Sequence, residues 1–411
     1  MKKHLLLFSL LIFAAISLLA QPGTFDVNHP TKPYFNTVTT AAPFLLIAPD
    51  SRAGGMGEVG VGTSADNYSQ HHNPAKYVFN NDIFGIGIAY SPWLKMLVND
   101  INLAYLASFW KITENDAIAA SLKYFSLGDI LFTDENGDRL YMANPNEFSL
   151  DFTYSRKLSK IVSMAITPRF IYSNLGTGAQ SRDMGLEMKT GLAGAVDISV
   201  FVDKEWLHNK DGFKSSELMF GANISNIGNK ISYSTEGKKD FLPCNLRLGF
   251  SYAMAFDDYN KLALNIEAGK LLVPTPSIEI RDSTEYRYIG NKGQNHNELN
   301  SIEGIGYAFF GAPGGVNEKF REVVWSVGAE YSYRNILFVR VGGFMESKWK
   351  GNRKFATVGV GVKYSIFALD VSYLFSPRYH PLENSLRFSL TFLLKSFNKE
   401  QIKNQGLINR N

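Results

Sequence analysis

Large apolar residues alternate with small or polar ones over most of the chain after residue 82. In the stretch 246–256, Leu, Phe, Tyr and Met occupy the even positions, and Arg, Gly, Ser and Ala occupy the odd ones. A period of two is typical of β-strands, whereas an amphipathic helix repeats every 3.6 residues. We count fourteen segments of this kind, at 82–90, 100–110, 116–126, 147–157, 161–173, 190–202, 217–227, 244–256, 260–271, 321–332, 335–345, 354–364, 367–375 and 385–394.

The linkers between these segments mostly alternate between long and short. The long ones include 127–146, 174–189, 228–243 and 272–320, and the short ones include 111–115, 158–160, 257–259, 333–334 and 365–366. Outer-membrane barrels combine an even strand count with short turns at one end and long loops at the other. The sequence therefore predicts an all-β fold, an antiparallel transmembrane β-barrel of about 14 strands over residues 82–394. The linker 203–216 is an exception, because it is long where a short turn is expected.

The first 20 residues, MKKHLLLFSLLIFAAISLLA, have the basic start and apolar run of a secretory signal peptide. With the barrel pattern, they predict an integral protein of the outer membrane of a Gram-negative bacterium after removal of residues 1–20. The apolar strand faces would then contact outer-membrane lipid. The single cysteine, Cys244, cannot form an internal disulfide, and a formal charge of +4 gives no indication of a nucleic-acid partner.

A segment of about sixty residues, 21–81, precedes the first strand. Within it, Gly55-Met-Gly57-Glu-Val-Gly60 matches G-x-G-x-x-G, the outline of a dinucleotide-binding turn. That turn needs a strand before it and a helix after it, but Pro49-Asp50 interrupts the approach and strand alternation follows. We therefore expect the small residues to serve close backbone packing in a segment that folds back into the barrel lumen.

No other motif indicates catalysis, a metal or a cofactor. Residues 134–138 resemble the start of a calcium loop, but Arg139 occupies the position of its glycine, so we expect an exposed turn. His71 and His72 are adjacent, and in a strand they would point to opposite faces and could not share a metal. We predict no catalytic residue, no metal ligand and no cofactor.

The linker 272–320 is unusually long and more apolar than a solvated loop. It is expected to contain a short amphipathic helix ended by Gly311-Ala-Pro313. Either it folds over the barrel mouth and covers only itself, or it forms a partner-binding lid. For the second case, the candidate contact residues are Ile302, Ile305, Tyr307, Phe309, Phe310 and Pro313.

Three features together resemble the PorV (LptO) family, the outer-membrane barrels of the type IX secretion system within the FadL-like superfamily. They are the stretch APFLLIAPDSRAGGMGEVGVGTSADNYSQHHNPAKY at 42–77, the fourteen-segment layout, and APGG from Ala312. The resemblance covers essentially the whole mature chain. It implies that residues 21–81 form an N-terminal hatch, with the motif residues Gly54, Gly55, Met56, Gly57, Asn73, Pro74 and Ala75.

The resemblance also implies a protein without enzymatic activity. Such a protein binds the C-terminal signal domain of secreted cargo leaving the large translocon barrel, and passes the cargo to a PorU-like sortase for surface attachment. In this family, extracellular loops are thought to bind cargo, and the resemblance assigns that role to the loops 127–146 and 272–320 as regions. A polar tail, 395–411, departs from the expected end of the chain at the last strand.

Two other functions compete with this one. A FadL-like transporter of hydrophobic small molecules needs an apolar path through the lumen. The inferred lumen faces are too charged for an easy path, since they carry Lys123, Asp151, Arg169, Asp197, Arg247, Glu267, Glu330 and Asp370. A lipid-modifying enzyme, suggested by the alternative family name, would need a nucleophile–base pair, which is not visible in the sequence.

Overall fold

The computed structural model describes residues 34–93, 100–133, 136, 138–175, 189–207, 214–234, 239–281, 286–376 and 385–395. The expected signal peptide and all of the polar tail after residue 395 lie outside this part of the chain. Most of the possible calcium-loop motif at 134–138 also lies outside it.

Eighteen strands form in the described chain. They are β1 (Asp82–Pro92), β2 (Asn102–Lys111), β3 (Asp116–Ser126), β4 (Ile130–Thr133), β5 (Arg139–Ala143), β6 (Asn146–Lys157), β7 (Val162–Asn174), β8 (Gly191–Leu207), β9 (Ser215–Gly228), β10 (Asn245–Ala255), β11 (Asn260–Leu271), β12 (Ile278–Arg281), β13 (Tyr286–Ile289), β14 (Val324–Tyr333), β15 (Leu337–Met345), β16 (Lys354–Tyr364), β17 (Phe367–Phe375) and β18 (Ser385–Lys395).

Fourteen of these strands form one closed barrel, in the order β1-β18-β17-β16-β15-β14-β11-β10-β9-β8-β7-β6-β3-β2. Every neighbouring pair is antiparallel, and β1 closes the ring against β18 with Ile88 opposite Leu390. The remaining four strands form two separate hairpins, β4–β5 and β12–β13. The predicted fourteen-strand antiparallel barrel is confirmed.

The period-two pattern arises because alternate side chains point to opposite faces of the barrel wall. On β1, Ile86, Ile88 and Tyr90 are exposed on the outer face, while Ala89 is buried inside. The same alternation continues on β10, where Leu248, Phe250 and Tyr252 are exposed. A wall with apolar residues outside and small or polar residues inside is the arrangement of a membrane barrel.

The long linkers all lie at one end of the barrel and the short ones at the other. We call these the loop end and the turn end. The first barrel strand, β1, begins at the turn end, and the last, β18, ends there, so that Asp82 lies opposite Lys395. The linker 203–216 is no exception, because β8 continues to Leu207 and β9 starts at Ser215. The charged run Asp203-Lys204-Glu205 ends the apolar alternation but not the strand, so our predicted end of this segment at 202 was wrong.

Two long loops contain regular structure of their own. The linker 127–146 holds the hairpin β4–β5, and 272–320 holds the hairpin β12–β13 followed by two helices. The helices of the described chain are α1 (Ser51–Gly54), α2 (Ser69–His72), α3 (Ser301–Phe310) and α4 (Gly315–Arg321), with 3-10 turns at Pro43–Leu46, Pro74–Phe79, Asn291–Gly293 and His296–Glu298. None of these helices is long and apolar enough to cross a membrane. Because α4 extends to Arg321, the next strand begins at Val324 and not at the expected residue 321.

Candidate functional site

Residues 34–81, which we call the lumen segment, run through the barrel from the loop end to the turn end. At the loop end, the Tyr34 hydroxyl donates to Glu318 of α4 over 2.9 Å, and the Ala41 N–H donates to the Phe241 carbonyl over 2.9 Å. At the turn end, the Asn80 carbonyl accepts from Lys111 over 2.7 Å. The segment is therefore anchored at both ends of the barrel.

The glycine-rich part of the segment packs directly against the wall. A methyl group on Gly54 would lie 2.8 Å from the Ser372 hydroxyl, and one on Gly57 would lie 2.5 Å from the Gly343 carbonyl oxygen. Gly57 also has a φ of 69°, which favours glycine. Met56, between the glycines, is almost completely buried. At Gly57, glycine is therefore required both by contact with the backbone of Gly343 and by backbone geometry. At Gly54 an added methyl group would meet the side chains of Ser372 and Arg387.

The Asn73-Pro74-Ala75 triplet ties the segment to the opposite wall. The Asn73 amide group donates to the Val61 carbonyl over 3.1 Å and to the Val200 carbonyl of β8 over 2.9 Å. Its oxygen accepts from the Ala75 N–H over 3.1 Å and so caps the 3-10 turn that begins at Pro74. The Ala75 carbonyl accepts from Ser163 of β7 over 2.6 Å.

Tyr68 links the lumen segment to the seam where the barrel closes. Its hydroxyl lies 2.9 Å from the Ile88 carbonyl oxygen of β1 and 3.0 Å from the Leu390 carbonyl oxygen of β18. These two residues face each other across the seam. One side chain of the segment therefore contacts both edge strands of the ring.

The charged residues expected on the lumen faces lie inside and pair with one another. Arg169 lies 2.7 Å from Asp151 and 3.0 Å from Asp197, measured between guanidinium nitrogen and carboxylate oxygen. Arg340 pairs with Glu330 over 2.6 Å and with Asp370 over 2.5 Å. A buried charge is tolerated when a partner of opposite sign compensates it, so these clusters neutralise the lumen internally.

Further pairs join the lumen segment to the wall or lie beside it. Arg52 of α1 contacts Glu330 over 2.9 Å and Asp66 over 2.7 Å, and Arg247 pairs with Glu267. The Lys123 ammonium group donates to the Ile47 carbonyl over 2.9 Å. The charges therefore hold the segment in place as well as balancing one another.

His71 and His72 lie in the short helix α2, not in a strand, and their rings meet edge to face with centroids 4.8 Å apart. We expected the two side chains to point to opposite faces of a strand, and this was wrong. The residues lie in a helical turn that follows Tyr68, and both rings lie in the lumen. His72 Nε2 lies 2.7 Å from Asp50, and His71 Nδ1 lies 3.0 Å from the Lys123 nitrogen. Among the described residues, no group of three His, Cys, Asp or Glu side chains is arranged to hold a metal ion.

Among the described residues, a cavity lies in the lumen on each side of the segment. The cavity at the turn end has a volume of about 980 Å³ and is lined by Arg52, Asp66, Lys261, Glu330 and Arg340 among others. The cavity at the loop end has a volume of about 460 Å³, and its lining includes Arg247, Glu267, Lys350 and Arg353. Both linings combine charged groups with apolar side chains, such as Leu45, Leu46 and Phe344 at the loop end and Phe79, Ile336 and Phe338 at the turn end.

At the loop end, α3 and α4 form a surface that we call the platform. Asn300 caps α3: its side chain accepts from the Glu303 N–H over 2.9 Å, and the Glu303 carboxylate accepts from the Asn300 N–H over 3.1 Å. The helix ends at Phe310 and is followed by its C-cap residue Gly311, two residues before Pro313. This is the short helix that the sequence predicted.

The six candidate contact residues divide into two groups on the platform. Ile302 and Phe310 are 81% and 87% exposed, and Phe309 is also exposed. The other three face the barrel: Ile305 packs on the cluster of Cys244, Leu272 and Ala308, Tyr307 on the cluster of Phe241, Val273 and Leu299, and Pro313 is buried. Only the first group is available to a partner. Sequence reasoning missed Val316 and Phe320 on α4, which are 67% and 73% exposed.

The helix α4 is inverted relative to an ordinary surface helix, because it buries two of its three charged residues and exposes its apolar ones. Glu318 is buried and pairs with Lys350 over 2.5 Å. Lys319 lies 3.4 Å from Glu322, which contacts Lys270 over 2.6 Å. Val316 and Phe320 are four residues apart, so the sequence alone could have indicated an apolar stripe on this helix. The sequence does not show that the charged side of the helix faces the barrel.

Burial and neighbouring charges change the ionisation of this cluster. Burial lowers the pKa of Lys319 to about 8, although Glu322 acts in the opposite direction. Burial alone would raise the pKa of Glu322, but the ammonium groups of Lys319, Lys270 and Lys350 outweigh it and lower that pKa below its usual value. The platform is thus held to the barrel by an ion cluster under α4 as well as by the apolar clusters under α3.

The family model described as "Type IX secretion system protein PorV" matches residues 31–278, more than half of the chain. The chain belongs to the PorV family. As a PorV-family member with a closed barrel, it is an outer-membrane component of the type IX secretion system, so the turn end faces the periplasm and the loop end faces the cell exterior. No curated protein matches the sequence.

Several solved barrels are similar to this PorV-family chain in fold. A TodX mutant titled as a monoaromatic hydrocarbon channel is 12% identical over 84% of this chain and 99% of its own, with a TM-score of 0.48. The Ralstonia pickettii toluene transporter TbuX is 10% identical over 85% and 98%, with a TM-score of 0.43. A Pseudomonas aeruginosa FadL homologue is 10% identical over 88% and 99%, with a TM-score of 0.42. Similarity at this level says nothing about what this chain binds.

Proposed function

We propose that this PorV-family barrel binds the C-terminal signal domain of secreted cargo as the cargo leaves the translocon barrel. The barrel then passes the cargo to a PorU-like sortase for attachment at the surface. The platform is the proposed contact site, and its exposed residues Ile302, Phe309, Phe310, Val316 and Phe320 are the proposed anchors.

The observation that carries this proposal is the inverted helix α4. Exposing Val316 and Phe320 to water while burying Glu318 and Lys319 is unfavourable for an isolated protein. An exposed apolar surface of this kind is typical of a partner-binding site, where burial of aromatic side chains supplies much of the affinity. The location of the platform at the exterior end of the barrel supports this proposal, because secreted cargo has to be bound on that side.

The lumen segment, 34–81, is proposed to be a hatch that stays in place while cargo is handled. Its support is the set of hydrogen bonds and ion pairs that fix it to the wall, including Asn73 to Val200 and Arg52 to Glu330. Transport of hydrophobic small molecules remains the alternative function, and the buried ion pairs of the lumen, such as Arg169 with Asp151 and Arg340 with Glu330, are the observation against it.

The proposal is tested by measuring the binding of a purified cargo C-terminal signal domain to the barrel in lipid nanodiscs. The double variant F310S/F320S should bind at least tenfold more weakly, since two exposed aromatic anchors are lost. Ile112→Ser, at an exposed apolar residue of the turn between β2 and β3 at the opposite end of the barrel, is the matched control and should bind like the wild type. Equal affinity of the double variant would exclude the platform as the site. Absence of binding by the wild-type chain would contradict cargo capture itself.

A further inference from the structure

The periplasmic rim of the barrel has a step between β7 and β8. Their ladder ends with Val162 opposite Val202, whereas β8 continues for five more residues to Leu207. On its other side, β8 remains paired with β9 to the end, where Leu207 is opposite Ser215. The last part of β8 therefore has a neighbour on one side only among the described residues.

The last hydrogen bond between β8 and the β6–β7 hairpin shows which backbone groups of β8 face the open side. The Asp203 N–H donates to the Ile161 carbonyl over 2.9 Å, so the Asp203 backbone faces the β7 side. Because successive residues of a strand alternate in direction, the N–H and C=O groups of Glu205 and Leu207 also face that side. No described residue pairs with them there. Closed barrels normally have no free edge, and a free strand edge is a template for pairing with another chain.

Exposed apolar side chains surround this edge. Leu207 is 78% exposed and Leu158, in the turn between β6 and β7, is 57% exposed; Ile161 and Trp206 are exposed as well. Such a cluster next to unpaired backbone groups is a surface that an added strand would cover on two sides.

The edge also carries positive charge. Lys160 and Lys204 are both exposed, and neither forms an ion pair with a carboxylate of the described residues. Lys204 lies over the Trp206 ring at 4.9 Å. Asp203 and Glu205 carry the opposite charge on the same stretch, but Asp203 is half-buried beside Glu217 and Lys261, and only Glu205 is exposed. Two exposed lysines therefore outnumber one exposed glutamate, so the edge attracts an acidic segment more than a basic one.

Lipid and a second copy of this chain fit the edge less well. By the strand alternation, Leu207 follows the inward-facing positions of Phe201 and Asp203, so its side chain points away from the lipid. Two copies in one membrane have their β8 strands running in the same direction, and the second barrel wall would collide with the turn that carries Leu158.

We propose that residues Lys204–Leu207 accept an extended segment of a periplasmic protein by strand addition. The segment has apolar side chains flanked by acidic residues, so that it covers Leu158 and Leu207 and meets Lys160 and Lys204. This site is separate from the platform, because it lies at the opposite end of the barrel. It would give the PorV-family chain a periplasmic contact in addition to the proposed exterior one.

The test is photo-crosslinking in cells that produce the chain with p-benzoylphenylalanine in place of Leu207. The crosslinked peptide is identified by mass spectrometry, and we expect an acidic and apolar segment of a periplasmic protein. Glu205→Pro should lower the yield at least fivefold, because proline removes an N–H on the open side and blocks strand addition. Glu205→Ala keeps that N–H and should stay within twofold of the parent.

A charge variant provides the second arm. The substitutions K160E/K204E should also lower the yield at least fivefold, since they repel an acidic segment. Unchanged heat resistance of the folded barrel in gel electrophoresis establishes that each variant is folded. Adducts only with lipid or with a second copy of the chain would overturn the proposal, as would equal yields from Glu205→Pro and Glu205→Ala. Cargo binding at the platform, measured on the same variants, should not change, so the two proposals fail independently.

Discussion

Gly55 of the lumen segment and Gly359 of β16 lie backbone against backbone. A methyl group on Gly55 would lie 2.9 Å from the Cα of Gly359, and one on Gly359 would lie 3.0 Å from the Cα of Gly55. The contact is reciprocal, and neither side has a flexible group that can move away. The close approach of segment and wall therefore depends on glycine at both positions.

Gly55→Ala is expected to destabilise the folded barrel by about 1–3 kcal/mol, because the added methyl group overpacks a backbone contact. The measurement is the temperature at which the purified barrel loses its folded band in gel electrophoresis. Gly306→Ala is the matched control, since nothing lies within 4 Å of a methyl group there. Gly306 is within α3, so this control should be neutral or slightly stabilising. Equal transition temperatures for the two variants would contradict the packing argument.

Arg169→Leu should destabilise the barrel by about 3–5 kcal/mol, because it leaves the buried carboxylates of Asp151 and Asp197 without their partner. The control is Arg156→Leu, which breaks an exposed pair with Asp116 and should have little effect on stability, because water screens such a pair. Urea unfolding in lipid vesicles compares the two. Additional replacement of both carboxylates by amides should recover part of the loss, and failure to recover any would count against the ion cluster.

The platform should loosen in acid. The pKa of Glu322 is lower in the folded chain than its ordinary value of 4.5, owing to the three lysines that overcome its burial. The stability that this glutamate contributes is therefore present above about pH 4.5 and is lost as the pH falls through the folded-state pKa. Cys244, buried beneath α3 with Leu272 and Ala308, is a natural reporter of this change.

Thiol accessibility measures this loosening with 4,4′-dithiodipyridine, a reagent that also reacts at acid pH. The rate at which the reagent modifies Cys244 is divided by the rate for the unfolded chain at the same pH. This ratio should rise severalfold between pH 6 and pH 3.5. At higher pH the thiol stays unreactive, because burial raises its pKa to about 12. Glu322→Gln should remove most of the acid dependence. A pH profile that is the same in this variant would assign the loosening to other groups.

A disulfide between the lumen segment and the wall tests whether the hatch must move. The hydroxyl oxygens of Ser51 and Ser389 lie 3.2 Å apart, so S51C/S389C should form a bond after oxidation in a C244S background. We expect the oxidised protein to bind the cargo signal domain within twofold of the reduced one. A large loss on oxidation that is reversed by a reductant would show that the segment leaves its place during capture.

The barrel was predictable because its signal is repeated in every strand. Alternation of the kind seen at Ile86, Ile88 and Tyr90 occurs fourteen times. Long and short linkers alternate between the segments, which distinguishes the two ends of the barrel. The extension of β8 was not predictable in the same way. Once a strand leaves the membrane, its outer face no longer has to be apolar, so Lys204 and Glu205 look like a loop although their backbone is paired.

The platform was only partly predictable for a related reason. Asn300, Glu303 and Gly311 supply local helix signals, which predict α3 without any tertiary information. Which side of a helix faces the barrel depends on the partners that it meets there. Glu318 faces inward because Tyr34 and Lys350, distant in sequence, provide a hydrogen bond and a salt bridge.

The position of Tyr68 at the seam bears on how the molecule is assembled. Its hydroxyl meets a carbonyl of the first barrel strand and a carbonyl of the last, so the segment and both edges come together at one point. A ring that closed without the segment would also leave Arg387 without its partner Glu58, and Glu330 with Arg340 alone in place of Arg340 and Arg52. Biogenesis is therefore expected to favour closure around a segment that has already entered, with the earliest-exported residues acting as the template for the last pairing.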